Sequence, residues 1–230
     1  MRELLSIVVP VFNEEATVGA VIDRLLAIDL PIAREILVVN DGSTDGTRGV
    51  LDALPLVGDR LRIVHAPING GKGRAIRTGF EHARGTIVAI QDADLELDPA
   101  ELGALVAPIL ARESQAVYGS RFLRGTRGVP LKTVLANRLL TALTNMLYGS
   151  SLTDMETCNK VMRADVARAL DLECNRFDIE PEITAKLLRA GHRIVERPVR
   201  FEPRNRAQGK KIGWRDGFHA IVVLLRYRRS

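Results

Sequence analysis

Between Leu4 and Phe122, short apolar runs alternate with amphipathic stretches, and this alternation limits the fold more than any other feature of the chain. LLSIVVPVF (Leu4 to Phe12), EILVVND (Glu35 to Asp41), LRIVHA (Leu61 to Ala66), TIVAIQDAD (Thr86 to Asp94) and AVYGSRF (Ala116 to Phe122) read as buried strands. After the first comes a predicted helix from Glu14 to Ala27, with Val18, Val21, Ile22 and Leu25 at helical spacing. Ser43-Thr44-Asp45 supplies N-cap chemistry for the next helix. Gly70-Gly71-Lys72-Gly73 leads into a third, and Pro99 opens a fourth. Strand–helix alternation of this kind predicts an α/β fold with a mostly parallel sheet.

The second half is less regular. Pro130 to Tyr148 and Pro181 to Ala190 read as helices, Thr157 to Arg163 as a short strand and Arg193 to Phe201 as extended chain. No internal repeat or linker interrupts the chain. The simplest partition is one domain over 1–211, followed by an amphipathic basic helix over 212–230.

The chain has 230 residues, enough for one sizeable core, and 46% of them are hydrophobic, so disorder is not expected. The formal charge of +5 favours an anionic partner. From Arg193 onward, eleven Lys and Arg residues stand against only Glu196, Glu202 and Asp216. Aromatic residues make up 4%, with no stacking platform, which argues against nucleic acid. No stretch approaches the roughly 20 apolar residues of a membrane span. The N-terminus turns acidic too soon for a signal peptide. Cys158 and Cys174 lack metal-site spacing and read as free thiols of a reducing compartment. The expected location is cytoplasmic, or peripheral on the cytoplasmic face of the membrane.

Open parallel sheets bind ligands at the carboxyl ends of their strands. There the chain places Asn13, Glu14 and Glu15 after the first strand, Asn40 and Asp41 after the second, and Asp92, Asp94 and Glu96 after the fourth. One acidic strand end is ordinary turn chemistry. Three on one edge of a basic protein call for a ligand. Asp92 and Asp94, two residues apart, can turn two carboxylates toward one point, where a cation relieves their repulsion. Mg²⁺ or Mn²⁺ fits, because such ions take oxygen ligands and leave positions for phosphates. The Gly-rich stretch NGGKGRA is neither a P-loop nor a dinucleotide fingerprint; it is either a plain helix entry or, through Lys72 and its neighbours, a donor-binding turn. His65 closes an apolar strand and reads as a packed, hydrogen-bonded residue rather than a catalyst.

At these residues the chain resembles the family 2 glycosyltransferases, which have the GT-A fold. IVVPVFNEE, ILVVNDGSTDGT, NGGKGRAIRTGF and IVAIQDADLELDP match in order and spacing. GSRF, TDMETCNKVMR, FDIEPEITAKLLRAG and RNRAQGKKIGWRDG are similar to the dolichol-phosphate-mannosyltransferase-like branch, which acts on polyprenyl phosphates. The resemblance implies a Rossmann-like, mostly parallel sheet flanked by helices, with an acceptor-side C-terminal half. It implies that Pro10, Phe12, Glu14, Val39 and Asp41 hold the nucleoside of a nucleotide-sugar donor. Asp92, Ala93 and Asp94 hold the diphosphate through the metal, and Glu96 stands where relatives have Gln as a further metal ligand. Arg121 contacts donor or acceptor phosphate, and Asp154 lies near the sugar. Arg204 and Lys211, with Lys210, close a basic loop that is one residue longer than the mannosyltransferase pattern.

The expected reaction is inverting transfer of a hexose from a GDP-mannose or UDP-glucose type of donor to a lipid phosphate. A phosphate acceptor is already ionised near neutral pH, which suits a chain with no evident Ser–His–Asp set. Two other readings stay open. One keeps the donor but uses a sugar, peptide or small-molecule acceptor. The other is a binding module for anionic lipid or nucleic acid without catalysis. At the C-terminus, Trp214, Phe218, Ile221, Val222 and Leu225 fall on one helical face. That face either lies on a membrane or packs on the protein's own core.

Overall fold

The computed structural model describes residues 3–55, 57–126, 129–203 and 214–229. In chain order its main elements are β1 (Leu4–Val11), α1 (Val18–Ala27), β2 (Ala33–Asn40), α2 (Thr47–Asp52), β3 (Leu61–His65), α3 (Lys72–His82), β4 (Ile87–Ile90), α4 (Leu102–Leu110), β5 (Ala116–Ser120), α5 (Leu131–Tyr148), β6 (Lys160–Arg163), α6 (Ala164–Ala169), α7 (Ile179–Arg189), β7 (Ile194–Pro198) and α8 (Trp214–Arg229). The strands are shorter than the apolar runs suggest, because the chain turns where ligand chemistry begins. Asn13 and Leu95 both have positive φ, and they break the backbone just past β1 and β4. The first helix starts at Val18 rather than Glu14, since residues 14–17 form a turn held by Thr17 N and Val18 N donating to Glu14 O.

Seven strands form one sheet in the order β3-β2-β1-β4-β6-β5-β7. β1 pairs in parallel with β2 and β4, and β5 pairs in parallel with β7. β6 runs antiparallel between β4 and β5. This reversal positions the site. The loop entering an antiparallel strand arrives at the same edge where its parallel neighbours end. Residues 153–159 are thereby delivered beside Asp92 and Arg121, which follow β4 and β5.

Alternation along β1 divides the core in two. Ile7 and Val9 pack with Val18, Ile22, Leu102 and Leu105 on one side of the sheet. Val8 packs with Ile76, Phe80, Ile183 and Leu224 on the other. Each of these β1 side chains is fully buried, stabilising the fold by about 1.5–3 kcal/mol apiece. Helix α3 lies so close to the sheet that a Cβ on Gly79 would stand 2.2 Å from Val8 Cγ1.

The C-terminal helix is seated on a different face from the one its sequence advertises. Ala220, Val223, Leu224 and Tyr227 are buried against α5 and α7, while Phe218, Val222 and Leu225 point outward. Ile221 is partly buried between the two stripes. Among the described residues, no helix is long and apolar enough to cross a membrane.

Candidate active site

The carboxyl end of β1 is stitched to the loop after β2. Asn13 N donates to Ser43 Oγ at 3.0 Å, Thr44 N to Asn13 Oδ1 at 2.8 Å, and Glu14 N to Thr47 Oγ1 at 2.9 Å. Glu14 is buried and accepts from Thr17 Oγ at 2.9 Å. Glu15 and Asp45 belong to the same lacing, since Gly46 N donates to Glu15 Oε2 at 2.6 Å and Thr47 N to Asp45 Oδ1 at 3.0 Å. Asp45 is thus a turn residue.

Asp41 is almost fully buried, and its two carboxylate oxygens accept from Gly70 N at 2.9 Å and Gly71 N at 2.6 Å. Burial raises its carboxyl above the usual range, and those two N–H donors oppose the rise. Gly71 has φ of 96°, a conformation that favours glycine, and this turns the chain into α3. The Gly-rich stretch therefore joins the acid after β2 to the first residue of α3, Lys72. Lys72 Nζ lies 2.8 Å from Asp92 Oδ1 and 3.1 Å from Glu180 Oε1. A second lysine, fully buried Lys160, takes the other oxygen of Glu180 at 2.6 Å. Lys160 Nζ also donates to the carbonyls of Met155 and Thr157.

Two lysines and two carboxylates thus form one buried cluster at the end of β4. Burial works against the charge on Asp92 and Lys72, but each holds the other ionised. Asp92 stays below the usual carboxylate range, and Lys72 is held well above the usual ammonium range by Asp92 and Glu180. The Cys158 thiol is pushed well up by burial, with Asp92 adding to the effect. Ala93 is buried, while Asp94 is partly exposed and accepts from Glu96 N at 3.0 Å. Glu96 O accepts from Glu202 N at 2.9 Å, tying this loop to the chain after β7.

The third group is built on Arg121. Its Nε and Nη2 donate to Asp154 Oδ2 and Oδ1, both at 2.7 Å, and its backbone N adds a bond of 3.0 Å to Oδ2. Nη2 also donates to Asn137 Oδ1 on α5 at 3.0 Å. The guanidinium stacks 5.6 Å from the Phe122 ring centre and 5.2 Å from that of Phe201. Despite burial, Asp154 keeps Arg121 firmly charged. Asp154 is itself held from β7, where Glu196 accepts from Thr153 N at 2.8 Å and Asp154 N at 3.0 Å. Between this pair and the lysine cluster lies Glu156. Burial raises its carboxyl to about 7, Glu180 and Asp154 add to the rise, and Lys160 and Arg121 oppose it. Glu156 Oε1 and both polar side-chain atoms of buried Asn159 have no hydrogen-bond partner among the described residues.

Asp41, Lys72, Asp92 and the Arg121–Asp154 pair come together at one sheet edge. Pro10 and Val39 are register partners in the last residues of β1 and β2, so they share that edge. Phe12, Ala93, Asp94 and Glu96 flank it. Arg204, Lys210 and Lys211 lie outside the described residues. His65 is a packed residue, 3.0 Å from Asn40 Nδ2 and 3.1 Å from Asp52 Oδ1. Sequence reasoning passed over Lys160, Asn137 and Glu196. A lysine in a buried strand does signal a required carboxylate, but nothing local says which one.

A seven-stranded α/β sheet with acids at its strand ends and a charge-balanced cluster of lysines and carboxylates beneath them suits a glycosyltransferase. The chain belongs to glycosyl transferase family 2, whose model matches residues 6–171. It is 30% identical over 231 residues to the undecaprenyl-phosphate mannosyltransferase of Micrococcus luteus, covering 96% of this chain and 92% of that one. It is 35% identical over 186 residues to the dodecaprenyl-phosphate galacturonate synthase of Rhizobium johnstonii, covering 75% of this chain and 52% of the relative. It spans 33% of the glycosyltransferase AglD of Haloferax volcanii, so several curated relatives are much longer than the matched part. Among solved structures, glucosyl-3-phosphoglycerate synthase from Mycobacterium tuberculosis, in complex with Mn²⁺, uridine diphosphate and phosphoglyceric acid, superposes with a TM-score of 0.73. At 22% identity, and covering 99% of this chain and 78% of that one, this likeness shows the shared GT-A fold.

Proposed function

We propose that the chain transfers a hexose from a nucleotide-diphosphate sugar to a polyprenyl or dolichyl phosphate, with inversion at the anomeric carbon. The observation that carries this reading is the continuous path from Asp41 through Gly70 and Gly71 to Lys72 and Asp92, beside the Arg121–Asp154 pair. Acids at the ends of β1 and β2 suit a nucleoside, and the Lys72 and Arg121 cations beyond them, each held by a carboxylate, suit phosphates. The activities of the Micrococcus and Rhizobium relatives support a lipid phosphate as acceptor. GDP-mannose and UDP-glucose are the donor types the sequence pattern favours.

No group of three or more His, Cys, Asp or Glu among the described residues could hold a metal by itself. Asp92 is engaged by Lys72, and Asp94, partly exposed like Asp92, accepts from Glu96 N. A donor set of one or two carboxylates fits Mg²⁺ or Mn²⁺, which complete their shells from substrate phosphates. Asp94 with Asp92 would hold the ion, with Glu96 adjacent. When bound, it supplies charge neutralisation for the leaving diphosphate.

The chain's own residues do the rest. Arg121 cannot swing away, because Asp154 fixes it through parallel hydrogen bonds and two rings sandwich it. Such a preorganised cation stabilises developing phosphate charge without rearranging. The acceptor phosphate attacks as an anion, so no side chain need remove a proton from it.

The decisive experiment offers a panel of nucleotide-sugars with a short-chain prenyl phosphate, a sugar or a peptide as acceptor, with and without Mn²⁺. Metal-dependent formation of a prenyl-phosphate sugar of inverted configuration is expected. Transfer only to the other acceptors, or binding of lipid and nucleic acid without turnover, would reject the reading.

A further inference from the structure

We propose that Glu182 is a positioning residue that aims Lys72 into the site, acting through the turn at residues 173–175. The proposal rests on the reading of Lys72 as a cation of the donor site, but the observations behind it concern the chain around that lysine. Glu182 is fully buried in the first turn of α7, where a helix N-terminus already favours an acid. Its oxygens are nonetheless engaged elsewhere. Oε1 accepts from Glu173 N at 2.9 Å, and Oε2 accepts from Cys174 N at 2.8 Å. Oε1 also meets Lys186 Nζ at 2.8 Å and accepts from Tyr227 Oη at 2.9 Å. Burial opposes the charge, yet Lys186 and the two backbone donors keep the carboxyl below the usual range. Glu182 is therefore an anion whose hydrogen bonds hold a stretch of backbone outside its own helix.

That backbone is the wall against which α3 begins. Asn175 O accepts from Arg74 N at 3.1 Å. Arg77 Nη2 donates to Asn175 Oδ1 at 2.8 Å, and its Nη1 donates to Leu172 O at 3.1 Å and Glu173 O at 3.2 Å. The approach is close enough to require glycine on both sides of Lys72. A Cβ on Gly71 would stand 2.3 Å from Asn175 O, and one on Gly73 would stand 2.4 Å from Cys174 O. These two glycines therefore make room for protein backbone.

Lys72 thus starts from a backbone clamped on two sides by buried carboxylates. Asp41 holds Gly70 N and Gly71 N, and Glu182 holds the turn that Gly71, Gly73 and Arg74 lean on. From there the ammonium crosses to Asp92 and Glu180. Glu180 and Glu182, in one turn of α7, divide the task. The first takes the head of Lys72, and the second fixes the chain from which its stem extends. A lysine is a flexible point charge, so what it contributes at a phosphate depends on where that stem is anchored. Tyr227 extends the device to α8, since its hydroxyl reaches Glu182 from the far end of that helix.

Glu182→Gln tests this, because an amide has one acceptor oxygen and must turn its NH2 toward one of the two backbone N–H groups. Acetylation by a hydroxysuccinimide ester, followed lysine by lysine with mass spectrometry, reads the placement of Lys72 without any ligand. The rate at Lys72 should rise about tenfold or more, the scale of losing a hydrogen bond to a charged group. Lys160, held by Glu180 and two carbonyls, should stay protected. Tyr227→Phe keeps the ring in the core and removes only the hydroxyl. It should give a smaller rise at Lys72 alone, and it decides the matter if Glu182→Gln does not fold. Titration of UDP and GDP with Mn²⁺ adds the functional readout. Whichever nucleotide the parent binds should bind Glu182→Gln more weakly, and in a Lys72→Met background Glu182→Gln should change nothing further. The proposal is overturned if Lys72 stays protected in Glu182→Gln, if Lys72 and Lys160 become reactive together, or if the losses from the two substitutions simply add. If neither nucleotide binds the parent, the proposed function fails, and the labelling still decides the role of Glu182.

Discussion

The sequence pattern proposes Asp94 as a metal-holding carboxylate, and the structure leaves it partly exposed after β4. Asp94→Ala should lower kcat/KM by about 10²–10³, the effect of losing one main electrostatic contact in a transition state. Steady-state kinetics with chelator and with restored Mn²⁺ checks this, and full turnover in chelator would contradict it. Lys160 is fully buried and paired with Glu180. Removing one partner of such a pair leaves a buried charge, so Lys160→Met should cost about 3–5 kcal/mol in urea unfolding. Adding Glu180→Leu should recover part of that loss, and a double variant worse than the sum would argue against the pairing. Glu156 gives a pH signature. Its carboxyl moves from an ordinary 4.5 to about 7 in the fold, so the folded state binds more protons than the unfolded chain between those values. Stability from this group is therefore fully present at low pH and is lost as pH rises toward 7. Glu156→Gln should match the parent near pH 4 and be the more stable protein at pH 8, read from thermal midpoints across the range.

At the scale of elements, the reversed strand β6 matters most. It brings the 153–159 loop to the sheet edge, and Glu196 on β7 then fixes that loop through Thr153 and Asp154. Glu196 accepts from Thr153 and Asp154, and Asp154 in turn holds Arg121, so we read Glu196 as a positioning residue. Glu196→Ala should lower kcat at saturating acceptor and loosen Arg121, while the affinity for nucleotide alone stays near the parent value. Titration of the nucleotide beside acceptor kinetics separates the two, and equal loss in both would place Glu196 in general folding instead. This role was not legible beforehand. Glu196 stands in an extended run, RIVERPVRF, among several other charged residues, and nothing local sets it apart from them. Helix α3 was legible at its start, because NGGKG announces a glycine turn into a helix. That its lysine would reach both Asp92 and Glu180 was not, since Glu180 lies more than a hundred residues away on α7.

For the molecule as a whole, α8 is part of the packing and not a loose extension. Val223, Leu224 and Tyr227 are buried, and Tyr227 Oη donates to Glu182 at 2.9 Å inside the core. Deleting residues 214–230 should uncover this face of α7 and destabilise the chain by several kcal/mol, given about 1.5–3 kcal/mol for each large side chain. Differential scanning calorimetry would show a clearly lower midpoint, and an unchanged one would show that the helix contributes nothing to the core.

The sequence by itself determined the strand–helix alternation, the parallel half of the sheet and the acids at the ends of β1, β2 and β4. These follow from local periodicity and from turn chemistry, both written in neighbouring residues. Tertiary structure alone decided that β6 enters antiparallel between β4 and β5, that Lys72 and Lys160 share Glu180, and that Asp154 clamps Arg121. It also decided which of two apolar stripes on α8 goes inward. Both stripes repeat at helical spacing, so periodicity cannot choose between them. The choice belongs to α5 and α7, whose surfaces accept the stripe that includes Tyr227 and leave Phe218, Val222 and Leu225 outside.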